Sequence, residues 1–293
     1  MTTYDVAFVG HYTKDTIVSP SGTRVVDGGA CNYGANVATR MGLKVAVVTR
    51  LAEEDFHVVE GLRRLGVDVF ARVTPKSTCL RLVYPTSDID QRTIHVTSMA
   101  GPFTPEEIQP VDARAFLIGA SMRREVGPEV IEALARKETL LAADIQSFLR
   151  VNREGLLVAE PWPEGERVLS HLDVLKTDAV EAELLTGVSD IHVAAKTIAD
   201  LGPSEIVLTH RDGVLVYAGD QFYEAAFFPR ELVGRSGRGD TTIAAYVSKR
   251  LTAPPEEATV WAAAVASLKM EAEGPFRGQM SEVEELIRRR YAG

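Results

Sequence analysis

Cysteine is scarce in this chain, with two among 293 residues, Cys31 and Cys79. They lack metal-ligand spacing and cannot build a disulfide framework, so a reducing, cytoplasmic compartment is expected. Long apolar runs are missing too. No stretch approaches the ~18 consecutive apolar residues of a membrane span. Met1 to Gly10 lacks the basic and apolar regions of a signal peptide. Positive charge is in deficit: 32 Lys and Arg against 41 Asp and Glu leave a formal net charge of −9. That sign disfavours nucleic acid and anionic membranes as partners and leaves a small molecule as the expected one.

Several catalytic signatures are also absent. There is no Gly-x-x-x-x-Gly-Lys, His-Glu-x-x-His, Cys-x-x-Cys or Gly-x-Ser-x-Gly. After the first apolar run, Gly10-His11-Tyr12-Thr13 stands where a dinucleotide-binding enzyme would carry Gly-x-Gly-x-x-Gly. The six histidines show no pairing at ligand spacing. His11 and His210, at expected strand ends, read as local hydrogen-bonding residues.

What is present is an ordinary soluble composition, 45% hydrophobic and 25% charged. Short apolar runs (Val6–Val9, Val45–Val48, Ala115–Ile118, Leu140–Ala143, Val174–Leu175, Ile206–Leu208) alternate with amphipathic stretches such as Phe56–Leu65, Pro128–Ala135, Ala179–Leu185 and Val193–Leu201. Strands apolar on both sides, separated by helices, predict a mostly parallel sheet covered on two faces. Without linkers or repeats, residues 1–293 read as one α/β domain. Two segments break the rhythm. Residues 16–27 flank a Pro-Ser-Gly turn, and residues 78–99 alternate around the polar loop Pro85–Gln91. Both read as β-ribbons forming a lid over the strand ends, or else as edge hairpins.

The segment richest in chemistry is Gly234-Arg235-Ser236-Gly237-Arg238-Gly239-Asp240-Thr241-Thr242, between a hairpin and an alanine-rich helix. Its glycines let successive N–H groups line one concavity, and the following helix adds its positive end, which suits a phosphate. Asp240 at that point can accept a hydroxyl proton during phosphoryl transfer. The plain alternative is a tight turn with Asp240 as N-cap. A second glycine element, Gly28-Gly29-Ala30-Cys31-Asn32, precedes another helix. Asp15, just after the first strand, stands where α/β sheets bind ligands.

In this order the elements resemble the ribokinase-like, PfkB group of sugar kinases over nearly the whole chain. The resemblance runs from Asp15 through Gly28-Gly29…Asn32 and Lys176-Thr177-Asp178-Ala179-Val180-Glu181, then Thr209…Gly213, to Ser236-Gly237-Arg238-Gly239-Asp240-Thr241 and the helix Ala262–Leu268. It implies a three-layer α/β/α fold with a small β-sheet lid and transfer of the γ-phosphate of ATP to an alcohol. Asp240 would be the base, and the N–H groups of Gly237, Arg238 and Gly239 the anion hole. Asp15, Gly28, Gly29 and Asn32 would hold the acceptor. Asp178 and Glu181 would organise Mg2+, with Lys176, Thr209 and Gly213 on the nucleotide side. Ala266 and Gly274 would border the adenine.

The departures from the family pattern matter as well. Arg238 replaces the usual Ala, Asp178 the usual Asn, and Gly234 the Asp that helps hold a monovalent cation, so potassium activation is in doubt. Arg238 either reaches a phosphoryl group or faces solvent in an ion pair. Ala143-Asp144-Ile145-Gln146 and Arg150 resemble the subgroup containing myo-inositol kinases. A neutral sugar or cyclitol would suit Asp15 and Gln146. A sugar phosphate would call on Arg123-Arg124, and a nucleoside on Tyr12 or Tyr33. A non-catalytic sensor on the same scaffold is the alternative outside enzymology. Relatives that pair through lid strands make Leu80, Leu82 and Tyr84 a possible homodimer face, or else a face that packs on its own core.

Overall fold

The computed structural model describes residues 3–86 and 92–291; residues 87–91, inside the expected polar loop, lie outside this description. The chain opens with β1 (Thr3–Val9), the hairpin β2 (Thr13–Ser19) and β3 (Gly22–Gly28), α1 (Ala30–Arg40) and β4 (Val45–Leu51). Then come α2 (His57–Arg64), β5 (Asp68–Val73), β6 (Thr78–Val83), β7 (Thr93–Ser98) and the short α3 (Pro105–Ile108). β8 (Asp112–Ile118), α4 (Pro128–Ala135), β9 (Leu140–Asp144) and α5 (Gln146–Leu149) lead into the hairpin β10 (Arg150–Arg153) and β11 (Leu156–Ala159). Next are α6 (Gly165–Leu169), β12 (Val174–Asp178), α7 (Ala179–Thr186), α8 (Ile191–Ala199) and β13 (Glu205–Thr209). The last elements are β14 (Gly213–Ala218), β15 (Gln221–Ala226), α9 (Arg238–Arg250), α10 (Pro255–Met270) and α11 (Met280–Arg290).

Among the described residues, nine strands form the main sheet in the order β15-β14-β13-β12-β9-β8-β1-β4-β5. From β13 to β5 every neighbouring pair is parallel. β14 and β15 close one edge antiparallel. All six apolar runs read from the sequence are strands of this sheet. Their side chains serve two cores, as a sheet buried on both faces requires. Val6 and Phe8 pack with residues of α1, α9 and α10, whereas Ala7 and Val9 pack with residues of α4 and α8. The result is the three-layer α/β/α architecture.

A second sheet, in the order β10-β11-β7-β6-β2-β3, forms the lid. β2 and β6 run parallel, and the other pairs are antiparallel. Two of its strands, β10 and β11, went unanticipated, as did β5 at the edge of the main sheet. Leu80 and Leu82 of β6 are buried with Val96 and Met122, and Tyr84, Ile94 and Leu157 pack around them. Leu80, Leu82 and Tyr84 thus have apolar partners within their own chain. No helix among the described residues is long and apolar enough to cross a membrane.

Candidate active site

A cavity of about 290 Å³ lies where the parallel strands end and the lid begins. Ligands bind in open α/β sheets beyond these carboxyl ends. Ser121 follows β8, Asp144 ends β9, Lys176 and Asp178 belong to the end of β12, and Thr209 ends β13; all line the cavity. The lid contributes Asp15, Leu80, Leu82 and Ile94, and the head of α9 contributes Gly237 to Asp240.

Gly237 is what lets α9 begin here. It adopts φ 75°, a conformation that disfavours side chains, and a Cβ would lie 2.2 Å from the Tyr33 ring. α9 therefore begins at Arg238, inside the glycine-rich segment itself. The Arg238 N–H donates to the Arg235 carbonyl at 3.0 Å and the Thr241 N–H to the Gly237 carbonyl at 2.9 Å. Of the three amides expected to bind an anion, that of Arg238 is thus spent on the turn. The N–H groups of Gly237, Gly239 and Asp240 have no backbone acceptor among the described residues. An anion would meet these and the positive end of a four-turn helix.

Charge in the cavity is concentrated and mixed. Lys176 Nζ lies 3.0 Å from Asp144 Oδ2 and 3.7 Å from Glu181 Oε2. Arg150 approaches the other oxygen of Glu181 at 3.5 Å. Burial alone would lower the Lys176 ammonium, but Asp144, Glu181 and Asp178 hold it above its ordinary range. Burial pushes the Asp240 carboxyl above the usual carboxylate range; Lys176, Arg150 and Lys269 work against that rise. Asp240 is therefore a stronger base than a solvated aspartate while staying surrounded by cations.

On the lid side, Asp15 is half-buried and its Oδ1 is shielded from solvent with no hydrogen-bond partner. Burial raises its carboxyl to about 6, opposed by a hydrogen bond from Thr13. A buried oxygen left without a donor is open to a water or to a ligand hydroxyl. Gly28 abuts this carboxylate, since a Cβ there would sit 2.5 Å from Asp15 Oδ2. Gly29 and Gln146 line the cavity directly. Asn32 does not. Its amide donates to the Asp27 carbonyl at 3.1 Å, and it borders a separate groove with Arg40 and His57. On α1 the cavity meets Ala30 and Tyr33 instead, because Asn32 lies on a different side of the helix.

Other candidates sort in the same way. Arg123 is spent on backbone, donating to the carbonyls of Glu160 and Pro161 at 2.9 Å each, and neither it nor Arg124 lines the cavity. Tyr12 directs its hydroxyl to Asp27 at 2.7 Å, whereas Tyr33 lines the cavity. His11 is a local partner of Thr78, 2.8 Å away, and Glu125, 3.1 Å away. His210 accepts from the Asp212 N–H at 3.3 Å. Residues the motifs did not single out are Leu82, Ile94, Arg92 and Ser121; only the alternation of the lid strands hints at the first two.

The nucleotide side departs furthest from expectation. Thr209 and Asp178 line the cavity, but Gly213 does not. Ala266 of α10 is wholly buried. Gly274 borders a neighbouring cavity of about 440 Å³ under the lid hairpin. The two residues expected to embrace an adenine thus share no space. The Arg238 guanidinium instead lies 5.4 Å from the centre of the Phe227 ring. The expected metal residues are only a partial fit. Asp178 Oδ1 accepts the Glu181 N–H at 2.8 Å, and Glu181 accepts the Asp178 N–H at 3.0 Å. With Glu181 also paired to Arg150 and Lys176, and no group of three or more metal-ligating side chains among the described residues, the site suits a hydrated cation carried on a donor's phosphates.

Comparison with known proteins places the fold. The pfkB family carbohydrate kinase model matches residues 3–279. The chain belongs to the pfkB family of carbohydrate kinases. It is 36% identical to a pyrophosphate-dependent kinase of the ribokinase family solved with sulfate, with TM-score 0.89, over 95% of this chain and 99% of that one. It is 34% identical, with TM-score 0.88, to a pyrophosphate-dependent myo-inositol-1 kinase converted into a myo-inositol-3 kinase by exchanging an asparagine and a serine for leucines. That match covers 98% of this chain and 99% of the other. A cytidine kinase of Thermococcus kodakarensis is 27% identical over 247 residues, 80% of this chain and 84% of that protein. The fold is ribokinase-like, and the chain is a carbohydrate kinase.

Proposed function

We propose that this kinase moves a phosphoryl group from pyrophosphate to a ring hydroxyl of myo-inositol or a closely similar cyclitol. The observation that supports the donor is that, among the described residues, the two positions expected beside an adenine border no common cavity. Ala266 is buried, Gly274 faces another cavity, and Arg238 covers Phe227. A donor without a base must be held by charge alone, and the cavity supplies Arg150, Lys176, Arg235 and Arg238 together with the α9 amides. The likeness to pyrophosphate-dependent kinases at 34–36% identity supports the same reading.

In the reaction, the acceptor is held by Asp15 and Gln146 with its hydroxyl toward Asp240. The hydroxyl oxygen forms a new bond to phosphorus as the bridging P–O bond of pyrophosphate breaks. Asp240 takes the hydroxyl proton, and inorganic phosphate leaves with the bridging electron pair. Little covalent assistance is needed, since the transition state is loose and the work is positioning and charge stabilisation. A magnesium ion on the donor would offset its charge, with Asp178 and Glu181 accepting from the ion's waters.

The lid favours one ring position. Leu82 and Ile94 are cross-strand partners, and both line the cavity. In the converted relative, the exchanged pair has the same spacing within one residue and falls at a similar distance along its chain. This chain carries Leu82 and Ile94 on its own facing lid strands, and on that likeness we take the 3-hydroxyl as the target. The test is product analysis after incubation with magnesium, pyrophosphate or ATP, and a panel of polyols and nucleosides. An inositol phosphate formed with pyrophosphate and not with ATP is expected. Turnover with ATP alone, or of cytidine alone, would replace this reading.

A further inference from the structure

One buried cation near Asp240 has been given no structural role so far. Lys269, in the last turn of α10, is 2% exposed. Its Nζ donates to the Gly234 carbonyl at 2.8 Å and stands 5.6 Å from the centre of the Tyr33 ring. The segment bearing that carbonyl is pinned to the same helix end. The N–H groups of Val233 and Gly234 both donate to the Met270 carbonyl, at 2.9 and 3.0 Å. From there the chain passes through Arg235 and Ser236 straight into Gly237 and α9. Burying an ammonium is costly unless charges or dipoles answer it. The groups facing it are Tyr33 of α1, Asp240 of α9, and Glu273 beyond α10. Glu273 is shared with Arg24 of β3 at 2.7 Å, and Arg235 borders the same cavity.

Resting on the phosphotransferase reading, we propose that Lys269 is a positioning residue, a built-in monovalent cation that fixes the Gly234 carbonyl, steadies the loop entering α9 and balances the charge of Asp240. It does not line the cavity assigned to donor and acceptor. Its effect reaches them through the loop whose amides meet the phosphate and through the carboxylate that takes the proton. Burial pulls the ammonium down to about 8, with Asp240 and Glu273 opposing the fall. The cation is therefore present at neutral pH and lost on the alkaline side, and the rate should fall with it. The fold should not fall. A lysine whose pKa is depressed on folding binds fewer protons than the unfolded chain above that value, so its contribution to stability rises with pH.

The experiment compares the full chain with its Lys269→Met and Lys269→Ala variants. In Lys269→Met we expect kcat to drop about tenfold or more near neutral pH, with the acceptor KM little changed and the alkaline decline gone. Lys269→Ala should regain rate in ammonium chloride but not in tetramethylammonium chloride. A Met variant with the parent's kcat and alkaline decline overturns the proposal. If the parent turns over nothing, the kinase reading fails, and sulfate binding then decides on Lys269, because the charge of sulfate is constant over this range. Sulfate affinity should weaken roughly threefold or more from neutral to alkaline pH in the parent and stay flat in Lys269→Met. The same pH dependence in both chains overturns the role.

Discussion

Asp144 and Lys176 are in register on adjacent parallel strands, and their side chains close a buried ion pair at 3.0 Å. Glu181 adds a second carboxylate 3.7 Å from the same ammonium. Burial pushes the carboxyls of Asp144 and Glu181 upward, and Lys176 is the largest influence opposing both. Removing Lys176 strands Asp144 and leaves Glu181 to Arg150 alone. We expect Lys176→Met to lose about 3–5 kcal/mol of stability, the typical cost of breaking a buried pair on one side. Adding Asp144→Leu should restore part of that stability and none of the activity. Denaturant unfolding of the three proteins checks this.

Asp240→Asn keeps shape and hydrogen bonding while removing the proton acceptor. With Asp240 as general base, kcat should fall by about 10² to 10⁴, the usual contribution of such a group, with acceptor affinity within a few-fold of the parent. Single-turnover rates alongside calorimetric binding of myo-inositol separate the two quantities. A protein that only senses its ligand would bind as before and show no rate to lose.

Leu82→Asn together with Ile94→Ser should move the phosphorylated position from the 3- to the 1-hydroxyl. These hydroxyls of myo-inositol are related by a mirror plane, so the choice depends on which face of the ring the lid accepts. An apolar wall favours the ring's C–H face, whereas an amide and a hydroxyl reward its oxygens. Chiral chromatography of the product reads the outcome directly.

The main sheet was legible because its strands are buried on both faces, so Val6–Val9 and Val45–Val48 stand out as unbroken apolar runs. β5 escaped notice because it is an edge strand, with Asp68, Arg72 and Val73 exposed. β10 and β11 escaped because four residues are too few to show a period. The head of α9 was legible in its glycines, but the spent amide of Arg238 depends on a turn bond that no motif records. Asn32 was misplaced because the motif gives a position along α1 and not a direction around it. Lys269 left no trace in the sequence; one lysine near the end of an apolar helix looks like an ordinary response to the helix dipole.

The pH response of the acceptor site follows from Asp15. Burial raises its carboxyl to about 6 from an ordinary value of 3.8, with Asp240 adding to the rise and Thr13 opposing it. The ionised form accepts hydroxyl donors on both oxygens, whereas protonation turns one of them into a donor and removes the charge. As pH falls through about 6, the Asp15 proton arrives and acceptor KM should climb, while the chain stays folded. Stability should move the other way. Between these two values the folded chain holds the proton and the unfolded chain does not, so the contribution of Asp15 to stability grows as pH drops from 6 toward 3.8. Asp15→Asn keeps the size and abolishes this acid limb, at the expense of affinity at neutral pH. Acceptor KM and thermal midpoints measured side by side across this range check it: if KM rises only where the midpoint falls, unfolding explains the loss and Asp15 does not.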